Sequence, residues 1–205
     1  MDRVSAISAS PRRQQGAFAE VALTSGERLL VSTRRLAGLG LARDDVVDAA
    51  MLSALRRASE LDRLERRLLR LVAVRARSRA ELDGRLQRWQ VSAKDREELL
   101  ERLTAAGLLD DEAFAHQLSG SLMRRRQGSV RAAHEMQRLG VDDERAAAAL
   151  ADHSGADPEI AADVLERRYG SPPYDAATTR RAAGLLARRG FGEDAIRSLL
   201  SLGEE

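Results

Sequence analysis

One helix break is written three times at an interval of fifty residues. It occurs in RLQRWQVSAKDREELL (85–100), EMQRLGVDDERAAAAL (135–150) and LLARRGFGEDAIRSLL (185–200). Each stretch has good helix formers with a basic residue, a stop, an apolar residue, acids, and then a second helix. The stop is Gly140 in the second copy and Gly190 in the third, whereas the first copy has Gln90. At the same offset Leu64, Phe114 and Val164 align, as do Leu82, Ala132 and Ala182, and Leu86, Met136 and Leu186. Val91, Val141 and Phe191 form a fourth apolar column, and Leu100, Leu150 and Leu200 a fifth. Arg88, Arg138 and Arg188 align as well. A fixed period with apolar columns is the mark of a repeat architecture, in which each unit is too small to bury its own core and stacks on its neighbour. Glycine lets the chain reverse, the apolar residue enters the core, and the acids open the next helix against its positive end.

Each unit reads as three helices. The first holds Leu61–Val74, Arg79–Trp89 and Ala93–Ala106; the second Asp111–Arg126, Val130–Leu139 and Asp143–Asp152; the third Pro158–Tyr169, Ala176–Arg189 and Glu193–Leu202. Ser78 and Glu81 have the spacing of a capping box, and Asp157-Pro158 reads as a cap followed by a first-turn proline. Asp175 reads as another cap, after Ser171-Pro172-Pro173, and Asp110-Asp111-Glu112 as an acidic helix start. Gly128, Gly140, Gly170 and Gly190 are placed where helices should stop. Upstream, residues 1–16 look disordered, being small, polar and basic without a period. Phe18 to Thr33 alternates across a Ser25-Gly26 turn, as a β-hairpin does, and a lone hairpin needs a helix to pack on. Residues 40–74 look helical, in one or two pieces, with Asp44 or Asp45 as the cap. The expected fold is mainly α: an elongated, curved array of three tandem three-helix repeats with a small N-terminal β-hairpin and helix. Its segments are 1–16, 17–59, 60–109, 110–155 and 156–205.

Composition agrees with helix. Aromatics are 3% of residues, so the core must come from Leu, Val, Ala and Met. The absence of Cys excludes disulfides and thiolate metal sites and suits a cytoplasmic protein. No apolar run approaches the roughly 20 residues that cross a bilayer. The sequence pI of about 9.6 overstates the charge, which is only +2, with 34 basic against 32 acidic residues. Almost every base is Arg, which stays protonated to high pH. The charge is graded instead, from +5 over residues 51–100 to −3 over 151–205. Such a gradient fits oriented docking on a charged partner better than uniform coating of DNA.

Catalytic chemistry finds little support. His116, His134 and His153 have no H-x-x-x-H spacing and read as surface or helix-face residues. No Walker loop, G-x-G-x-x-G or G-x-S-x-G occurs. No catalytic residue, metal ligand or cofactor site is assigned. The arginine clusters carry the binding potential: Arg66, Arg67, Arg70, Arg75, Arg77 and Arg79, then Arg124, Arg125 and Arg126, with Arg131 and Arg138 completing the candidate partner-binding set. Pairing of the first cluster with Glu60, Asp62 and Glu65 is the competing reading there, and both stay open. Arg75, Arg77 and Arg79 fall in a linker with few acids near in sequence. Base stacking on single strands fits poorly, because Phe114, Phe191 and Trp89 fall in or beside core columns.

GLLDDEAFA (107–115) and RRRQGSVRAAHEMQRLGV (124–141) resemble the RecX family of RecA regulators. The first carries that family's motif in Gly107, Leu108, Leu109, Asp110, Asp111, Phe114 and Ala115. The second carries it in Arg125, Gly128, Glu135, Met136, Gly140 and Val141, with Met136 standing where the family has Leu. SRAELDGRL (78–86) resembles the family's Ser-x-x-Glu-Leu element, Gln90 replaces its usual Gly, and the third repeat is generic. The resemblance spans most of residues 60–200. It implies tandem three-helix repeats, no cofactor, and binding in the groove of the filament that RecA forms on single-stranded DNA. It further implies restraint of filament extension, strand exchange and ATP hydrolysis. Weak DNA binding, a monomer and no membrane association complete the expectation. The alternative is a tandem helical DNA-binding module acting independently of RecA, because the joints also resemble helix-turn-helix turns.

Overall fold

The computed structural model of the chain describes residues 2–9 and 18–201, which divide into two compact units, 1–75 and 76–205.

The first unit is a small sheet closed by a helix. β1 (Asp2–Ala9), β2 (Phe18–Leu23), β3 (Arg28–Ser32) and β4 (Val46–Val47) form an antiparallel sheet in the order β3-β2-β1-β4. Between β3 and β4 lies the short helix α1 (Thr33–Leu39). Val4, Ala19, Val21, Leu23 and Val31 are buried, and Leu55 and Ala58 of α2 (Ala49–Val74) join them in one core. The expected hairpin is therefore two strands of a four-stranded sheet that packs on a helix, as a marginal hairpin requires. Residues 2–9 are a strand and not the disordered segment expected, whereas 10–16 lie outside the described residues. Three non-local ties hold β1. It pairs with β2 and β4, its Val4 is fully buried, and the Asp2 carboxylate accepts the Ser25 amide at 3.0 Å and the Thr24 and Ser25 hydroxyls. Those hydroxyls, foremost Ser25, hold the Asp2 carboxyl down to about 2.

The cap of α2 is Asp48, which accepts the Met51 amide at 2.7 Å. Asp44 instead takes a left-handed turn and Asp45 accepts the Ala42 amide. α2 is a single helix of 26 residues. Its buried Asp62 accepts the Ser32 amide and hydroxyl and the Arg35 guanidinium, fixing β3 and α1 to it. Four residues on, Arg66 stacks its guanidinium 4.8 Å from the centre of the Phe18 ring.

The second unit contains α3 (Arg79–Arg88), α4 (Ala93–Ala105), α5 (Asp111–Arg124), α6 (Ser129–Arg138), α7 (Asp143–Tyr169), α8 (Ala176–Arg189) and α9 (Glu193–Ser201). The fifty-residue correspondence is physical. Leu82, Ala132 and Ala182 are fully buried, as are Leu86, Met136 and Leu186; Leu64, Phe114 and Val164 are buried too. Val141 and Phe191 are buried after their joints, and Leu150 and Leu200 pack on their repeat cores. Truncating a fully buried Leu such as Leu86 or Leu186 to Ala costs about 2–5 kcal/mol. Ser78, Asp110 and Asp175 cap their helices as expected.

One expected break is absent. Asp143–Asp152 and Pro158–Tyr169 are a single helix, α7, that runs through Pro158. Proline lacks the amide that would close the local bond. A continuous buried stripe of Ala149, His153, Asp157, Ala161, Val164 and Leu165 nevertheless lies on both sides of it, so both repeat cores hold the helix together.

Candidate partner interface

Two of the helix breaks do more than turn the chain: the second and the third each dock on the preceding repeat. At the third break, the Arg189 and Gly190 carbonyls face the N-terminus of α6. Arg189 O accepts the Gly128 amide at 2.9 Å, and Gly190 O accepts the Val130 amide at 3.1 Å and the Arg131 amide at 3.4 Å. These are the orphan amides of a helix start, satisfied by a neighbouring turn instead of a side chain. The approach demands glycine twice. A Cβ on Gly128 would lie 2.2 Å from Gly190 O, and one on Gly190 would lie 2.4 Å from Arg131 Cβ. Gly128 is thus a helix start and not the stop expected. Its missing capping side chain is supplied by Asp157, whose buried carboxylate accepts the Ser129 amide at 3.1 Å and the Ser129 hydroxyl at 2.6 Å. Asp157, expected to cap its own helix, caps α6.

The second break repeats the arrangement one period earlier. The Ser78 hydroxyl accepts the Glu81 amide at 3.1 Å and donates to the Leu139 carbonyl. The Asp111 carboxylate accepts the Arg79 amide at 2.7 Å. A Cβ on Gly140 would lie 2.3 Å from the Ala80 methyl carbon. The first break has no equivalent upstream helix start within its unit, and its stop is Gln90, held at φ 59°. Gln90 turns the chain as the glycines do but keeps a side chain. The long-range roles of Ser78, Gly128, Asp111 and Asp157 were not legible locally. The available signal was that Gly128 follows Ser78, and Gly190 follows Gly140, by one full period.

The candidate arginines differ in burial and in pairing. In the first unit, Arg66 is half-buried on Phe18, whereas Arg67 and Arg70 are exposed along α2. Arg63 pairs with Glu60 at 2.6 Å. Arg75 is exposed at the end of α2. The linker arginines have acids after all: Arg77 pairs with Glu81, and Arg79 with Glu97. Glu81 is only four residues from Arg77, whereas Glu97 comes from the next helix, α4, which linear proximity does not reveal. Arg126 pairs with Asp163, which also receives Arg167 at 2.7 Å; Arg126 foremost holds that carboxyl below its ordinary value. Arg138 pairs with Glu135 at 2.8 Å. Arg124, Arg125 and Arg131 are exposed on α5 and α6. The structure therefore brings Arg124, Arg125, Arg131 and Arg138 onto adjacent elements of the second repeat.

Of the histidines, His116 and His134 are exposed, whereas His153 is fully buried on the inner face of α7, so it takes the helix-face position of the two expected and not the surface one. Its Nε2 donates to the Gln127 carbonyl at 2.8 Å, and its Nδ1 lies 3.0 Å from the Ser119 hydroxyl. It fastens α7 to α5 and to the segment before α6, so it is structural. Among the described residues there is no cluster of acids or histidines able to hold a metal ion, and no helix is long and apolar enough to cross a membrane.

A profile described as RecX, second three-helix domain, matches residues 110–150. The regulatory protein RecX of Mycolicibacterium smegmatis is 39% identical over 142 residues, covering 65% of this chain and 76% of that one. The chain belongs to the RecX family. The regulatory protein RecX of Acidithiobacillus ferrooxidans is 36% identical over 143 residues, covering 67% of this chain and 88% of its own. A crystal structure of regulatory protein RecX shares the fold, with a TM-score of 0.77 at 19% identity over 98% of this chain and 99% of that chain. RecX from Lactobacillus salivarius aligns with a TM-score of 0.62 at 20% identity over 72% of this chain and 98% of that chain. The RecX motif at 107–115 now has physical roles. Gly107 turns left-handed after α4, and Leu109, Phe114 and Ala115 are buried. Asp110 caps α5, and Asp111 captures the α3 start.

Proposed function

We propose that the chain is a negative regulator of RecA that binds the filament RecA forms on single-stranded DNA and restrains its extension, strand exchange and ATP hydrolysis. In this reading it acts as a cytoplasmic monomer, with the repeats as docking modules bounded near residues 60, 110 and 156. The observation that carries the reading is the construction of the repeat joints. Neighbouring repeats are fastened largely through backbone amides, carbonyls and acids, which leaves Arg124, Arg125 and Arg131 exposed on the elements so fixed. Contact by successive repeats with successive subunits of a polymer multiplies weak individual contacts. Membership of a family of regulatory proteins supports the same conclusion.

The test is RecA ATPase and filament length on single-stranded DNA, with the chain present below stoichiometry. Inhibition is expected, and the double charge reversal Arg124→Glu/Arg125→Glu should raise the half-inhibitory concentration by roughly tenfold at low salt. Unchanged ATPase and filament length at every ratio would reject the proposal. A salt titration on naked duplex separates the DNA-module alternative, which requires a steep salt slope and sub-micromolar binding without RecA.

A further inference from the structure

A cleft lies beside each of the two repeat joints, and the two differ in lining and in charge. The cleft at the second break, about 440 Å³, contains Arg79 and Arg96 together with Asp83, Glu97 and Asp111. Every charge there is engaged. Arg79 pairs with Glu97 at 2.5 Å, Arg96 pairs with Asp83 at 2.7 Å, and Asp111 accepts the Arg79 amide. The cleft at the third break, about 320 Å³, is lined by Val130, Arg131, His134, Glu135, Ala187 and Arg188, beside Gly190. Its only acid among these residues, Glu135, already receives Arg138. Arg131, His134 and Arg188 are exposed, and neither arginine makes an ion pair among the described residues. Val130, an apolar residue left 42% exposed, forms part of the same wall.

We infer that this α6–α8 cleft is a docking site for an acidic segment of a partner protein, one that places a carboxylate between Arg131 and Arg188 and an apolar side chain against Val130 and Ala187. The guanidinium pair supplies charge-assisted donors suited to carboxylates and phosphates alike. The apolar wall decides between them, because a phosphate backbone gains nothing from Val130 whereas a peptide side chain buries it. Joint geometry holds the site in place: Gly190 O fixes the Val130 and Arg131 amides, so both walls of the cleft are set by the same contact. The inference rests on the protein-partner reading above and names the chemistry of one of its contacts.

The experiment uses the full chain and two fluorescent probes of equal length, a blocked peptide alternating Glu and Leu and a single-stranded oligonucleotide, followed by anisotropy at low salt. Peptide binding is expected. It should weaken roughly tenfold in each of Arg131→Gln and Arg188→Gln, the loss of one charged hydrogen-bonding partner. Val130→Ser should weaken the peptide and leave the oligonucleotide unaffected. Arg197→Gln, on α9 and outside the cleft lining, serves as the control and should bind as the parent does. Gln keeps the Cβ that abuts Gly190, and thermal unfolding at the parent temperature verifies the fold. No peptide binding, binding unchanged by both substitutions, or loss confined to the oligonucleotide would each overturn the inference. Peptide binding tests the cleft alone, and RecA ATPase with the unaltered chain tests the functional reading alone.

Discussion

The joint between the first and second repeats and the joint between the second and third solve one problem by different means. In the earlier joint the upstream helix is capped by its own Ser78, and the next repeat adds one carbonyl and the Asp111 carboxylate. In the later joint the upstream helix has no capping side chain. Gly128 is its start, and everything its amides need comes from residues 157, 189 and 190. The first helix is finished locally and then docked; the second is finished by docking. The second joint should therefore be the more sensitive to mutation, although both have the same spacing.

The largest expected effect is Gly128→Ala. Its φ of −79° suits any residue, so the whole cost comes from forcing Gly190 backbone away, about 3 kcal/mol or more in denaturant unfolding. Gly140→Ala should cost less, about 2 kcal/mol, from its left-handed φ and the Ala80 methyl. Adding Ala80→Gly should recover the steric part of that loss in a double-mutant cycle, provided the contact is the cause. Asp157→Ala leaves the Ser129 amide without its cap and should cost about 1–3 kcal/mol, more than Asp111→Ala, whose helix keeps Ser78. Equal losses would erase the distinction between the joints. Gln90→Gly relieves a left-handed non-glycine turn and should stabilise by up to about 1 kcal/mol. The smallest effect is a pH dependence. Because Arg126 and Arg167 hold the Asp163 carboxyl below its ordinary 3.8, the stability it contributes is present above that value and lost as pH falls below it. Asp163→Asn should flatten that acid limb of the unfolding profile.

Periodicity made the apolar columns legible, since a buried face must recur with the repeat, and Ser78, Asp110 and Asp175 were legible because a cap acts within three residues. What escaped was non-local. β1 has little strand character of its own and exists through pairing with β2 and β4. The α7 break was inferred from Asp157 and Pro158, both sound local signals. It was overridden by a buried stripe that crosses them and by an Asp157 carboxylate directed at another helix. The arginine set was legible as composition, but not which members are tied, because Glu97 and Asp163 come from other helices.

The dependence of one helix start on the turn of the next repeat has a consequence for synthesis. A chain emerging amino end first presents α6 with bare amides until residues 189 and 190 have left the ribosome. Maturation must then sweep backward, each newly exposed segment sealing the one before it. Stalled chains ending near residue 175 should show α6 more open to protease than the released protein does, and equal protection in both would deny that order.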